Sequence, residues 1–381
     1  MNPIFAALGT TIFEATSRLA AERGAINLGQ GFPETDGPID VREAAARALV
    51  ERSNQYPPMR GLPELRQAVA AHYNAHHGLD LDWAREVTIT SGATEAIAAA
   101  LLAFINPGDE VVLFEPLYDS YLPMVRRAGG VPRIVRLHPP HWRFDRAALE
   151  AAFTERTRVV VLNTPLNPTA SVFAHEDLAL LAEFCVKHDC VAVSDEVWEH
   201  VLFDGRSFDS MLHVLRERTL KIGSAGKMFS LTGWKVGFAC AAPALTEVFA
   251  KAHQFLTFTT PPDLQHGVAY GLGKERAYFE EMRAGFQRSR DRLVGALEGE
   301  GFVTLPAAGA YFVTVDLRAS GIGMSDEDFA RHCIEHGVAV IPFSAFYADP
   351  GAPALVRLCF AKSDATLDRG AEALARAKRA L

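Results

Sequence analysis

Cysteine is scarce in this 381-residue chain. Its five cysteines, Cys185, Cys190, Cys240, Cys333 and Cys359, make an odd set with no Cys-x-x-Cys pair. Neither a disulfide framework nor a zinc ribbon is expected from them. Cys240 and Cys359 lie in apolar runs and read as buried small hydrophobes, which fits a reducing cytoplasm. Long hydrophobic runs are missing too. Even Ala96–Ile105 stops at Asn106-Pro107-Gly108, short of the ~18 residues a membrane helix needs. Met1–Leu8 has no basic region followed by an apolar core, so no signal peptide is expected. Positive charge is short. With 38 Lys+Arg against 46 Asp+Glu, the net charge of −8 leaves no surplus for the phosphates of a nucleic acid. No Lys/Arg block suggests a membrane anchor. His-Glu-x-x-His and paired Cys/His sites are absent, which argues against a metal enzyme.

What is present is a large core: 49% hydrophobic and 22% charged residues, enough chain for two or three domains. Short Val/Ile-rich runs at Val87–Thr90, Glu110–Phe114, Val131–Leu137, Arg158–Asn163, Val191–Ser194, Leu220–Gly223 and Val236–Ala241 read as strands. Several are apolar throughout, as strands covered on both faces are. Helical patterns at Val41–Arg52, Leu62–His77, Thr94–Ile105, Ser120–Ala128, His175–His188 and Ala244–Gln254 alternate with them. This predicts an α/β unit with a mostly parallel seven-stranded sheet between helices. After a long charged helix at Ala277–Glu300 come strands at Gly309–Leu317, Val338–Phe343 and Ala354–Phe360, with helices at Ser325–His336 and Ala365–Leu381. That reads as a smaller α+β domain. The expected division is residues 41–275, residues 276–381, and a loop-like segment 1–40 packing with the smaller unit.

In such sheets ligands bind beyond the carboxyl ends of the strands. Three strand ends carry polar sets there. Ser91-Gly92-Ala93-Thr94 opens a helix, whose free N–H groups and dipole favour an anion; a plain helix cap is the simpler reading of it alone. Val193-Ser194-Asp195-Glu196 places acids after an apolar strand, where a carboxylate calls for a cation or caps the next turn. Gly223-Ser224-Ala225-Gly226-Lys227 resembles a P-loop but fails its spacing, since position 221 is Lys and position 228 is Met. A lysine between Gly226 and Met228-Phe229 is open to desolvation, which makes an amine nucleophilic. An anion cradle, an acid and an amine at one sheet edge suit pyridoxal phosphate, which needs donors for its phosphate, a carboxylate for its ring nitrogen and a lysine for its aldehyde.

Ten segments in order carry a family resemblance: NLGQGFPETDGP (27–38), NQYPPMRGLPELRQA (54–68), SGATEA (91–96), EPLYDSY (115–121), NTPLNPT (163–169), SDEVWEH (194–200), SAGKMFSLTGWKVGF (224–238), GAYFVTVDL (309–317), IPFSAFY (341–347) and VRLCFA (356–361). The chain resembles the fold-type I, class I/II aminotransferases that depend on pyridoxal phosphate. Within them it is similar to the group of kynurenine, glutamine and methionine aminotransferases and cysteine-S-conjugate β-lyases. The resemblance implies amino transfer between an L-amino acid and a 2-oxo acid through one site in a ping-pong cycle, with β-lyase activity as the alternative. It implies that Lys227 bonds the cofactor aldehyde and then moves the α-carbon proton. A base needs a pKa near the working pH, so Lys227 needs a drop of roughly three units, about 4 kcal/mol. Asp195 would hold the ring nitrogen. Gly92, Ala93, Thr94, Ser224 and Lys235 would hold the phosphate, joined by Tyr56 from the neighbouring subunit of a homodimer. Tyr118 would stack on the ring and Asn167 would bond its phenolic oxygen. Arg357 would fork onto the substrate carboxylate, with the backbone of Gly31. From composition alone, an arginine in an apolar strand calls for a partner, either a ligand or an internal salt bridge.

Three departures stand out. Trp198 replaces a tyrosine whose hydroxyl bonds the same phenolic oxygen, and an indole has only a donor, so a higher pKa for the lysine–cofactor linkage is expected. Ala170 replaces a glycine and Leu166 a polar residue, which bears on loop geometry. No second arginine for a dicarboxylate side chain is identifiable, so an apolar side-chain pocket is expected, with Phe13, Tyr118, Phe255, Phe258 and Phe343 as candidate lining.

Overall fold

The computed structural model describes residues 1–381. Its central sheet has seven strands in the spatial order Val87–Thr90, Gly237–Ala241, Thr219–Ser224, Val191–Asp195, Thr157–Asn163, Glu110–Glu115 and Val131–Arg136. All neighbours are parallel except Gly237–Ala241, which runs antiparallel to both of its partners. The sequence supports this directly. In Thr157–Asn163 every residue but Arg158 is buried, and Val160 and Leu162 face one apolar cluster while Val159 and Val161 face another. Side chains alternate across the sheet, so a strand covered on both faces must be apolar at every position. Each fully buried Val contributes about 1.5–3 kcal/mol.

Register then fixes the site. Asn163 pairs with Asp195, Asp195 with Ile222, and Ser224 with Gly237, so these residues share one sheet edge. Because Gly237–Ala241 is reversed, its beginning lies at the edge where the parallel strands end. Lys235 and Val236 are thereby delivered beside Ser224 and Gly92.

A second, four-stranded antiparallel sheet has the order Ile341–Pro342, Leu355–Cys359, Phe312–Asp316 and Val303–Thr304. Arg357 lies on its second strand, opposite Thr314 and Ile341. Residues 26–27 pair in parallel with Val338–Ala339, and the Cys359 amide donates to the Leu28 carbonyl. One apolar cluster of 50 buried residues runs through both sheets.

The structure corrects the loop-like reading of segment 1–40. Ile12–Arg23 is a helix, capped by the Thr11 hydroxyl and ended by Gly24 at φ +62°. A helix at Pro262–Leu272 was not anticipated either. Its Gly267 and Gly271 weaken the helical signal, yet a Cβ at position 267 would stand 2.8 Å from Ala45 Cβ. The glycine permits close packing on the helix Ile39–Glu51. Ala170 adopts φ +60° itself, so the loop keeps a left-handed residue without glycine. All five cysteines are buried and unpaired, and no helix is long and apolar enough to cross a membrane.

Candidate active site

A cavity of 390 Å³ opens beyond the carboxyl edge of the large sheet, where the small sheet contributes Phe312 and Arg357. Gly31, Gly92, Ala93, Thr94, Tyr118, Asn167, Asp195, Trp198, Ser224, Lys227, Lys235 and Arg357 all line it. Of the anticipated site residues only Tyr56 lies elsewhere. It is 83% exposed, edge-on to Phe258 at 5.5 Å. A larger open groove of 960 Å³ shares Phe32 and Thr232 with the cavity but touches none of Lys227, Asp195 or Arg357.

Lys227 sits in the helical turn Ala225–Met228 that follows the strand ending at Ser224. Its Nζ lies 4.6 Å from the Trp198 ring centroid and donates to the Tyr311 hydroxyl at 3.2 Å. Tyr311 in turn donates to the Gly31 carbonyl at 2.8 Å. Burial pushes the Lys227 amine down from a free lysine's 10.5 to about 8. Desolvation thus supplies most of the anticipated drop.

Asp195 ends its strand fully enclosed. Oδ2 accepts the Tyr121 hydroxyl at 2.7 Å and Oδ1 the Val197 amide at 3.4 Å. Burial raises the Asp195 pKa, while Tyr121, Val197 and Lys227 oppose that rise. Asn163 braces the same strand end. Its Nδ2 donates to the Asp195 carbonyl at 2.9 Å, and its Oδ1 accepts the Asn167 amide at 2.8 Å.

Gly92 begins the 13-residue helix Gly92–Phe104 at φ +80°. A Cβ there would stand 3.1 Å from Lys235 Cε and 3.3 Å from its Nζ. Glycine at this position lets the lysine head lie against the helix N-terminus, where dipole and charge both favour an anion. Lys235 itself takes φ +54°.

The Arg357 guanidinium is 1% exposed, with Nη1 donating to Asn167 Oδ1 at 2.8 Å and Nη2 to the Gly29 carbonyl at 2.8 Å. Its Nε has no partner. The group lies 4.1 Å over the Phe312 ring and 5.3 Å over Phe13. Burial draws its pKa down to about 10, which leaves it charged at neutral pH. A buried cation with a spare donor beside a cavity can bind a carboxylate. A Cβ on Gly31 would meet the Phe312 ring at 3.0 Å and Arg357 Nη2 at 3.7 Å, so glycine keeps that approach open.

The lining expectation needs correction. Phe13 and Tyr118 face the cavity, but Phe343 is fully buried against Trp142 and Phe346, and Phe255 and Phe258 lie on the surface. Tyr121, Asn163, Tyr311 and Phe32 were missed. Tyr121, Asn163 and Tyr311 stand inside segments already singled out, but Tyr121 and Tyr311 meet partners 74 and 280 positions away, and Asn163 meets the Asp195 carbonyl across 32, which spacing does not reveal.

The class I and II aminotransferase family profile matches residues 23–374. The chain belongs to that family. It is 42% identical to the Escherichia coli K12 methionine aminotransferase over 371 residues, covering 96% of each chain. It is 34% identical to human kynurenine–oxoglutarate transaminase 1, covering 92% of each. Among solved structures, the Mycobacterium tuberculosis N-succinyldiaminopimelate aminotransferase superposes with a TM-score of 0.95 at 41% identity, over 99% of this chain and 100% of the other. The fold is that of fold-type I aminotransferases, and the enzyme is a transaminase. Members of this family use amino and 2-oxo acids, generally depend on pyridoxal phosphate and are commonly dimeric.

Proposed function

We propose that this aminotransferase holds pyridoxal phosphate in the Lys227 cavity and exchanges amino groups between an L-amino acid of uncharged, largely apolar side chain and a 2-oxo acid. Both half-reactions use the one site, in ping-pong order. Aromatic amino acids, kynurenine, methionine and glutamine are the donor types. The observation that carries this reading is a single cavity that joins a desolvated amine, a buried acid and a buried arginine with Phe13, Phe32, Tyr118 and Phe312. Its only other cation, Lys235, lies against the helix N-terminus and is assigned to the phosphate.

The donor set fits the cofactor. Gly92, Ala93 and Thr94 offer backbone N–H groups at the helix start, Ser224 a hydroxyl and Lys235 a charge. When bound, pyridoxal phosphate supplies an aldehyde for amine exchange and a ring that withdraws electrons from the α-carbon. With the cofactor bound, Asp195 would hold its ring nitrogen, and the Tyr121 hydroxyl opposes the rise that burial imposes on the Asp195 pKa. Lys227 takes and returns the α-carbon proton, with a pKa close to neutral. Asn167 and Trp198 line the same cavity and would border the ring. Arg357 orients the substrate carboxylate, with the Gly31 backbone beside it.

Tyr56 is assigned across the interface of a homodimer, and the exposure of Tyr56 and Phe255 (83% and 84%) supports an apolar contact there. We also propose that the chain divides near residues 40 and 275, because the small antiparallel sheet is drawn wholly from the later residues.

The test is a donor profile: methionine, phenylalanine, kynurenine, glutamine, aspartate and N-succinyldiaminopimelate, each with several 2-oxo acids. The reading expects kcat/KM for the best uncharged donor to exceed that for aspartate by about 100-fold, the cost of burying an unpaired carboxylate. Preference for aspartate or N-succinyldiaminopimelate would overturn the side-chain assignment. Pyruvate and ammonia released from a cysteine conjugate without an acceptor would reveal β-elimination.

A further inference from the structure

Outside the cavity, three histidines converge from two distant parts of the chain. His72 and His76 lie one turn apart on the helix Pro63–His77, their rings stacked at 4.3 Å. His200 arrives from the segment after Asp195 and places its Nε2 2.8 Å from His72 Nε2. One ring nitrogen from each of the three lies within 4.8 Å of the others. None of the three lines the Lys227 cavity. We propose that His72, His76 and His200 form a binding site for a divalent transition metal, zinc by preference, that ties this helix to the segment carrying Trp198.

The second contacts of His72 favour ligation. Its Nδ1 stands 3.3 Å from the Leu272 carbonyl. A proton held there leaves Nε2 as a lone pair aimed at His200, the orientation that a backbone carbonyl imposes on metal-bound histidines. Two ring nitrogens at 2.8 Å require a shared proton when no metal is present, and a metal ion takes that proton's place. Tetrahedral zinc with Zn–N bonds of about 2.0–2.1 Å sets its ligand nitrogens about 3.3 Å apart, so modest ring rotations suffice.

The surroundings fit as well. Phe279 packs against all three rings, with centroids at 4.8, 4.9 and 4.8 Å, and shields them from water. His76 is partly exposed and gives the metal an entry path. His77, whose buried Nε2 has no partner, has its ring 5.1 Å from His200 but stands outside the three-nitrogen group, so water completes the proposed coordination. Lys221 and Arg276 stand near the cluster, with Glu199 and Glu280 as their counter-charges. Three imidazoles without a carboxylate select against magnesium and calcium and suit zinc, copper, nickel or cobalt. The sequence hides the site, because His200 is 124 positions from His76.

The experiment uses the cofactor-loaded, full-length enzyme, stripped with a chelator, given zinc chloride and passed through gel filtration. The proposal expects about one zinc per chain, a higher Tm with zinc than without, and visible d–d absorption when cobalt(II) replaces zinc. His76→Ala, a change that helices tolerate, should weaken binding by at least about 100-fold and abolish the cobalt band. His72→Asn should do the same. The remaining ten of the chain's 13 histidines and the cofactor stay in both variants and report non-specific uptake. No stoichiometric zinc in wild type, or equal zinc in His76→Ala, would overturn the proposal.

Discussion

Replacing Lys227 by Met should stabilise the cofactor-free protein, and by an amount that depends on pH. Burial lowers the amine's pKa from 10.5 to about 8 in the folded chain, a difference of about 2.5 units. At about 1.36 kcal/mol per unit, this comes to about 3 kcal/mol. The sign follows from proton counting. Between pH 8 and 10.5 the unfolded chain keeps the lysine proton that the folded chain has lost, so stability rises with pH across that window. Below pH 8 both states are charged, and the folded state bears the whole desolvation penalty. Methionine fills much of the same space without a charge. Denaturant titrations of wild type and Lys227→Met should therefore differ by up to about 3 kcal/mol in favour of the variant at pH 7. The gap should close as the pH approaches 10.5. Using the difference between the two proteins cancels the other groups that titrate in this range. A gap that stays constant with pH, or a wild type more stable at pH 7, would refute the desolvation argument. The amine would then lack the depressed pKa that makes it a base near neutrality.

Three further perturbations address the other groups of the cavity. Tyr121→Phe removes the 2.7 Å hydrogen bond to Asp195, worth about 1.5–3 kcal/mol to a charged acceptor. The Asp195 pKa should rise by about one to two units, moving the acidic limb of the kcat/KM profile to higher pH, and an unmoved limb would count against the role. Trp198→Tyr restores a hydroxyl beside Lys227 and should lower the pKa of the lysine–cofactor linkage in an absorbance titration; equal pKa values in both proteins would dismiss the effect. Arg357→Lys replaces a planar fork by a point charge, and should cost about 2–3 kcal/mol in kcat/KM for every amino and 2-oxo acid alike. A loss confined to one donor would assign Arg357 to side-chain selection instead.

The large sheet was legible because its inner strands are short, nearly continuous apolar runs, covered on both faces and separated by helical patterns. The strand ends at Ser91, Asp195 and Lys227 were legible for the same reason, since polar residues interrupt the apolar runs there. Their chemistry was not. A plain helix cap explains Ser91-Gly92-Ala93-Thr94 equally well in isolation, and only the family resemblance chose between the readings. Support residues stayed hidden because their partners are remote. Tyr121 meets Asp195 across 74 positions, and Tyr311 meets Gly31 across 280. Phe343 was misjudged because an aromatic residue after a strand serves core and pocket equally, and here Trp142 and Phe346 enclose it. The helix Pro262–Leu272 was hidden by glycines with tertiary roles and no local signal: Gly267 lets two helices touch, and Gly271 makes room for the Phe229 ring.

The central claim is that the amine of Lys227 is the group that bonds the cofactor aldehyde, opposite the carboxylate of Asp195. Purified protein given pyridoxal phosphate, reduced with borohydride, digested and sequenced by mass spectrometry tests it directly. The account predicts a coloured protein before reduction and one tagged peptide, with the pyridoxyl group on Lys227. A protein that stays colourless, or a tag on Lys235 or Lys221 in place of Lys227, would contradict it.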